Sequence, residues 1–463
     1  MSKAMRQKPA QAGCPAAQGG EAAGSRRRDE ARGPHPDTRG AGPRPPAAAT
    51  GSLLEAALAR ENLQLAWKRV RANKGAAGVD GLDIGQTHDW LRTHWPEVRD
   101  ALLQGRYRPQ PVRRVMIPKA DGSRRELGIP TVLDRLIQQA LLQVLQPILD
   151  PTFSDHSHGF RPGRRAHDAV RQARAYVQSG RRVVVDVDLE KFFDRVNHDI
   201  LMDRLGRRVP DAAVLRLVRA YLDAGIMAGG VVIERHEGTP QGGPLSPLLA
   251  NVLLDEVDRE LERRGHCFVR YADDCNVYVG SRKAGERVMA LLKRLYGRLK
   301  LRINEAKSAV ASALDRERKF LGFAFYAAAG DEVRCKVAAK PLQTFKHQVR
   351  RLTRRTRGRS MEQVIADLRP YLLGWKGYFR LAQAARAWQE LDEWLRHRLR
   401  AFQLKQWRRG TTIYRELRAL GASEATARRV AANSRRWWRN SAGEINRVLT
   451  IAHFDRLGLP RLS

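Results

Sequence analysis

The sequence predicts an α/β (α+β) chain in which strands and helices interleave before giving way to cationic helix, and three observations carry that prediction. Arg182-Val-Val-Val-Asp-Val-Asp-Leu189 reads as a buried strand of β-branched residues, and Phe268-Val-Arg-Tyr-Ala-Asp-Asp-Cys-Asn-Val-Tyr-Val279 as a hairpin. Leu133 to Leu149, Asp211 to Ala224 and Leu248 to Val257 have the apolar spacing of packed helices. Past Asp331, arginines recur at about one helical turn and six of the nine tryptophans gather.

Charge narrows the class of partner. Lys and Arg number 85 against 49 Asp and Glu, for a net charge of +36 and a pI of about 11.1. That profile suits a polyanion, and nucleic acid is the expected partner. No apolar run approaches the roughly 20 residues needed to span a bilayer, and the amino terminus lacks a signal-peptide core, so no membrane is expected. Cys14, Cys267, Cys275 and Cys335 lie without Cys-x-x-Cys pairing, which argues against a disulfide framework or zinc site and for a reducing, cytoplasmic setting.

Residues 1–50, rich in Ala, Gly, Pro and Arg without hydrophobic period, read as a disordered basic tail. Helical spacing begins near Leu53 and continues to Val70. The Gly-rich loop Asn73 to Gly81 follows, and it lacks the Gly-Lys-Ser/Thr ending of a nucleotide-binding P-loop. Residues 51–105 thus form a helical extension. Val115 to Pro130 is a hairpin about Asp121-Gly122, carrying Lys119, Arg124 and Arg125. His158-Gly-Phe-Arg-Pro-Gly-Arg-Arg165 is a compact basic loop.

In the buried strand, Asp186 and Asp188 share one face by alternation, so at most one of them needs to be a ligand. Phe192-Phe193-Asp194 then opens a helical region. Gly238-Thr-Pro-Gln-Gly-Gly-Pro-Leu-Ser-Pro247 packs three glycines and three prolines into a rigid loop suited to close approach. In the hairpin, Asp273 and Asp274 place two like charges side by side at the tip. An isolated Asp-Asp is more often only a polar turn, but a divalent cation relieves such repulsion, and carboxylate oxygens suit Mg²⁺. If Asp188 meets that tip, three carboxylates converge as a two-metal phosphoryl-transfer site would require.

In chain order, Lys119…Arg125, Gly159-Phe-Arg-Pro162, Asp188…Phe193, Pro240-Gln-Gly242, Tyr271-Ala-Asp-Asp274, Asn304…Lys307 and Phe320-Leu-Gly-Phe323 resemble the successive blocks of reverse transcriptases encoded by bacterial group II introns. The resemblance runs from about Leu53 onward. It implies a right-hand polymerase, with fingers and palm over 106–330, an α-helical thumb or maturase domain over 331–410 and a basic DNA- or RNA-binding segment over 411–463.

Carried onto matching positions, the resemblance implies Asp188, Asp273 and Asp274 as carriers of two Mg²⁺ ions, with the Leu189 carbonyl as a further ligand and Mn²⁺ able to substitute. Lys119 and Arg125 would hold a deoxynucleoside triphosphate, and Gln241 would face its sugar or the primer end. Phe193 would exclude a ribose 2′-hydroxyl, and Lys307 would protonate pyrophosphate. Glu190 departs from the basic residue many relatives carry there. The implied partners are group II intron RNA, an RNA template with a DNA primer, and target DNA.

Residues 331–463 carry a net +19, and Arg161, Arg350, Arg354, Arg357, Lys376 and Arg380 are the expected nucleic-acid contacts. Most of the tryptophans are expected in the core. Gly374-Trp-Lys-Gly-Tyr-Phe-Arg380 and the ending from Trp437 to Pro460 look like a maturase domain and the short terminus of class C members, which lack an endonuclease. Two rivals remain at this stage. One is a splicing maturase without polymerase activity; the other is a retron or domesticated repair reverse transcriptase.

Overall fold

The computed structural model describes residues 52–463 apart from 119–121, 123, 229–230, 234–236, 240–241 and 357. The expected basic tail, Lys119, Gln241 and Arg357 therefore lie outside the described residues.

Two helices, α1 (Leu53–Ala57) and α2 (Arg60–Ala72), replace the single helical stretch expected from Leu53. Ser52 and Glu55 form a reciprocal capping box that starts the first of them. The Gly-rich loop follows, and then α3 (Ile84–Leu103). A Cβ at Gly78 would lie 2.6 Å from the Thr131 Cα. The glycine there lets backbone lie on backbone, which is a packing role.

The expected basic hairpin forms as β1 (Val112–Pro118) and β2 (Arg124–Ile129), followed by α4 (Val132–Leu149), α5 (Ala166–Gln178) and β3 (Val183–Val187). Next come α6 (His198–Gly206), α7 (Ala212–Asp223), β4 (Ile226–Ala228), β5 (Val231–Ile233) and α8 (Ser246–Arg263). Asp211 caps α7 by accepting the Ala213 and Val214 amides, which is why that helix begins where it does. Strands β6 (Cys267–Tyr271) and β7 (Asp274–Val279) make the acidic hairpin, backed by α9 (Arg282–Arg298) and β8 (Ala309–Ser312).

A short hairpin, β9 (Phe323–Ala327) and β10 (Val333–Val337), leads into α10 (Ala339–Leu352), α11 (Met361–Phe379) and α12 (Ala385–Trp407). Shorter helices over 410–456 complete the chain.

One four-stranded sheet runs β2-β1-β4-β5, a second runs β6-β7-β3-β8, and β9 pairs with β10. The second sheet positions the site. Val185 and Val187 point into a core shared with α8 and α9, whereas Val184 joins a separate core with α5 and the C-terminal helices. Each fully buried valine of this kind contributes roughly 1.5–3 kcal/mol. Gly285 lets α9 press onto the sheet, since a Cβ there would sit 2.5 Å from Val310 Cγ1.

Of the C-terminal tryptophans, Trp375 is buried and Trp388, Trp394, Trp407 and Trp437 pack partly buried against the core, as expected; Trp438 is exposed. Residues beyond 410 fold back on α11 and α12. Buried Asp392 accepts the Leu462 and Ser463 amides, and Arg400 Nε donates to the Leu449 carbonyl.

Candidate active site

The hairpin turn is tighter than the sequence suggested. Tyr271 pairs with Asp274, so the two-residue turn is Ala272-Asp273, and Asp274 and Cys275 already belong to β7. Ala272 adopts φ +59°, an uncommon conformation for a residue with a side chain. It is also buried.

Antiparallel register sets Asp186 opposite Asn276 and Val187 opposite Cys275, which brings the end of β3 beside the start of β7. Asp186, Asp188 and Asp274 line one cleft of about 920 Å³ together with Lys307, Arg318 and the α10–α11 residues Lys340, Thr344 and Trp375. The expected common face of Asp186 and Asp188 is thus observed.

A turn over 304–308 fixes the Asp188 backbone. The Asn304 amide donates to the Asp188 carbonyl at 2.8 Å, and the Asp188 amide donates to Ser308 Oγ at 3.0 Å. Leu189 bridges Ile303 through the Asp188 carbonyl and the Glu190 amide rather than through its own carbonyl. The same turn brings Lys307 Nζ to 3.7 Å from Asp188 Oδ2. Glu190, the departure noted above, pairs with Arg195 at 3.3 Å.

The carboxylates feel one another. Lost solvation in the cleft, followed by repulsion from Asp273, Asp188 and Asp186, pushes the Asp274 carboxyl up to about 7, although the residue keeps an exposed edge. Asp273 is raised first by burial and then by Asp188, and Arg125 pulls it back. Asp186 is raised by burial and relieved by Arg318, whose guanidinium lies 3.5 Å away.

Among the described residues, no three His, Cys, Asp or Glu side chains close into a metal-holding group. The donor chemistry nevertheless fits a hard divalent cation. The charged forms of Asp273 and Asp274 are destabilised, in part by Asp188, and an added positive charge offsets that cost.

Other expected site residues divide. Phe193 is half-buried in a short turn after β3, its ring edge-on to Phe192, and its carbonyl accepts the Thr239 amide at 2.7 Å. The glycines around Gln241 are explained by packing: a Cβ at Gly242 would lie 2.4 Å from the Gly128 carbonyl, and one at Gly243 would lie 2.3 Å from Gln138 Oε1. Arg350 lies over Trp394, with Lys346 and Arg398 about the same ring, and Arg354 and Arg380 are exposed. Lys376 donates to the Arg461 carbonyl.

Arg161 corrects the expectation. Its side chain is 3% exposed, and its guanidinium donates to the Asp150 carboxylate and to the Asp150, Ser154 and Ser157 carbonyls. With its donors spent inside the fold, it braces the loop instead of contacting nucleic acid.

Sequence reasoning missed Arg270 and Asp258, a buried ion pair beneath the turn. The signal was present. An arginine inside an apolar strand and an aspartate inside an apolar helix each need a buried partner.

A family described as reverse transcriptase (RNA-dependent DNA polymerase) matches residues 117–325, and one described as the group II intron maturase-specific domain matches residues 342–421. Protein YkfC of Escherichia coli (strain K12) is 34% identical over 287 residues, which is 53% of this chain and 75% of that one. Group II intron-encoded protein LtrA of Lactococcus lactis subsp. cremoris is 38% identical over 197 residues, 42% of this chain and 32% of LtrA. Nuclear intron maturase 1 of Arabidopsis thaliana is 28% identical over 201 residues, 32% of this chain and 27% of that protein. The chain thus matches three quarters of YkfC but about a third or less of the other two.

Proposed function

The chain belongs to the reverse transcriptases of the group II intron-encoded type, with a polymerase domain followed by a maturase-specific one, and from that premise we propose that it copies intron RNA into DNA and grips the same RNA to aid splicing. The observation that carries the reading is one cleft lined by Asp188 and Asp274 together with residues of α10 and α11, with Asp273 in the turn directly before Asp274 and close enough to Asp188 to be pushed up by it.

Divalent-metal dependence is general for the reverse transcriptase family. In this chain, Asp188, Asp273, Asp274 and the Leu189 carbonyl would hold two Mg²⁺ ions, or Mn²⁺ in their place. Bound there, such ions activate the primer 3′-oxygen and stabilise charge on the leaving pyrophosphate. The chain's own groups supply orientation and proton handling. Arg125, which already acts on Asp273, would clamp the triphosphate together with Lys119. Gln241 would meet the sugar or the primer end. Phe193, five residues past Asp188, would reject a ribose 2′-hydroxyl by clash. Lys307 Nζ lies 3.7 Å from Asp188 Oδ2, and from that position its ammonium would give a proton to pyrophosphate.

Arg350, Arg354, Arg357, Lys376 and Arg380 would contact RNA phosphates. Binding structured RNA by shape and charge suits such a surface. The substrates proposed are an RNA template, a DNA primer and deoxynucleoside triphosphates, with target DNA as the point of insertion. No described helix is long and apolar enough to cross a membrane. The three described cysteines are free thiols, as a reducing cytoplasm would keep them.

Primer extension on an RNA template tests the reading. Asp273→Asn should abolish synthesis and leave RNA affinity within about twofold. Full synthesis by the variant would remove Asp273 from the metal site.

A further inference from the structure

The turn that carries Asp273 is clamped from beneath by one buried guanidinium. Arg270 is 1% exposed, sits in β6 two residues before Ala272, and would be too costly to bury without partners. Its partners are fully specified. Nε lies 2.9 Å from both Asp258 oxygens, and NH2 donates to Asp258 Oδ2 at 2.6 Å, the planar fork-on-carboxylate geometry available to arginine but not to lysine. NH1 donates to Asn251 Oδ1 and to the Ala272 carbonyl, each at 2.9 Å.

That last acceptor matters most, because the Ala272 carbonyl belongs to the peptide plane leading directly into Asp273. The same plane follows a residue held at φ +59°, which a side-chain-bearing residue keeps only when its surroundings over-determine it. Two further contacts do so. Asn251 Nδ2 donates to the Gly159 carbonyl at 3.0 Å, and Gly159 lies so close under the turn that a Cβ there would be 2.1 Å from the Ala272 nitrogen. The Arg270 backbone is also fixed by the segment around Ser157: its amide donates to the His156 carbonyl and its carbonyl accepts the His158 amide, each at 2.9 Å.

We propose that Arg270, held by Asp258 and Asn251 of α8, is a positioning residue for the polymerase reaction. It fixes the Ala272–Asp273 peptide plane so that Asp273 and Asp274 face Asp188 before any cation arrives. Helix α8 then acts as the rigid element against which the turn is registered. The proposal rests on the polymerase reading above.

The test compares wild type, Arg270→Lys and the double variant Arg270→Met/Asp258→Leu. The double variant replaces the buried ion pair by apolar groups, a change often neutral for folding. Arg270→Lys keeps the charge but cannot serve Asp258, Asn251 and Ala272 together. Melting temperature is measured for each, and primer–template affinity, single-nucleotide extension rate and Mn²⁺ affinity by electron paramagnetic resonance are then measured well below it.

Both variants should fold and bind primer–template within about threefold of wild type. Extension should fall by about 30-fold or more, and Mn²⁺ should bind at least about fivefold more weakly. Wild-type Mn²⁺ affinity and rate in a folded variant would overturn the positioning role. Activity lost only in step with melting temperature, at unchanged Mn²⁺ affinity, would reduce Arg270 to a structural part. If the double variant does not fold, Arg270→Lys decides by the same measures. Failure of wild type itself to extend a primer would instead sink the polymerase reading.

Discussion

Replacing Gly159 by alanine asks how much positional error the acidic turn tolerates. Gly159 does not lie in the left-handed region, so alanine can adopt its backbone conformation and only space is at issue. The added methyl would start 2.1 Å from the Ala272 nitrogen and 2.9 Å from both the Ala272 Cα and the Tyr271 carbonyl carbon, where ordinary contact begins near 3.4 Å. Something must move by about 1.3 Å. The obstacle is backbone, and it is the backbone that carries Asp273. Overpacking of this kind costs about 1–3 kcal/mol of stability, while a displacement near 1 Å at a reacting centre costs on the order of 100-fold in rate.

Gly159→Ala should therefore slow single-nucleotide extension by about two decades at saturating nucleotide, with primer–template affinity within about threefold. Gly163→Ala is the control. It lies at φ +72° with open space around it, so it should cost about 1 kcal/mol of stability and leave the rate unchanged. Wild-type extension by Gly159→Ala, or equal losses in the two variants, would refute the reasoning that the loop under the turn sets catalytic geometry.

Other outcomes follow from the same site. Phe193→Ala should admit ribonucleotides, lowering discrimination by at least about tenfold, or about 1.4 kcal/mol, in competition assays; unchanged selectivity would move the gate elsewhere. Because the Asp274 carboxyl is raised to about 7 from an ordinary value of 3.8, its contribution to stability is present below the ordinary value and is lost as pH rises through 7. Metal-free protein should thus melt lower at pH 8 than at pH 5 through this group, with Mg²⁺ restoring most at pH 8. Half-saturating Mg²⁺ should rise by up to about tenfold per pH unit below 7, since the cation must displace a proton, and a flat Mg²⁺ requirement between pH 6 and 8 would contradict this. Arg350→Glu with Arg354→Glu should lower the slope of log affinity for RNA against log salt by about one to two; an unchanged slope would place the RNA elsewhere.

The amino-acid sequence by itself determined a good deal here. Period-two alternation put Asp186 and Asp188 on one face, the β-branched run around them defined the strand, and Asp273-Asp274 between two apolar runs marked the acidic hairpin. Such features are local: alternation and turn chemistry act over a few residues, so they can be read along the chain. What only the tertiary structure decided is how distant charges were assigned to one another. Arg161 and Arg270 look equally cationic in sequence, yet both are buried, one bracing a loop on Asp150 and the other joining Asp258 to the turn. Lys307 reaches Asp188 only because the 304–308 turn binds the backbone at the end of β3. A charge's partner is whatever the folded chain brings within a few ångströms of it, and sequence separation does not encode that distance.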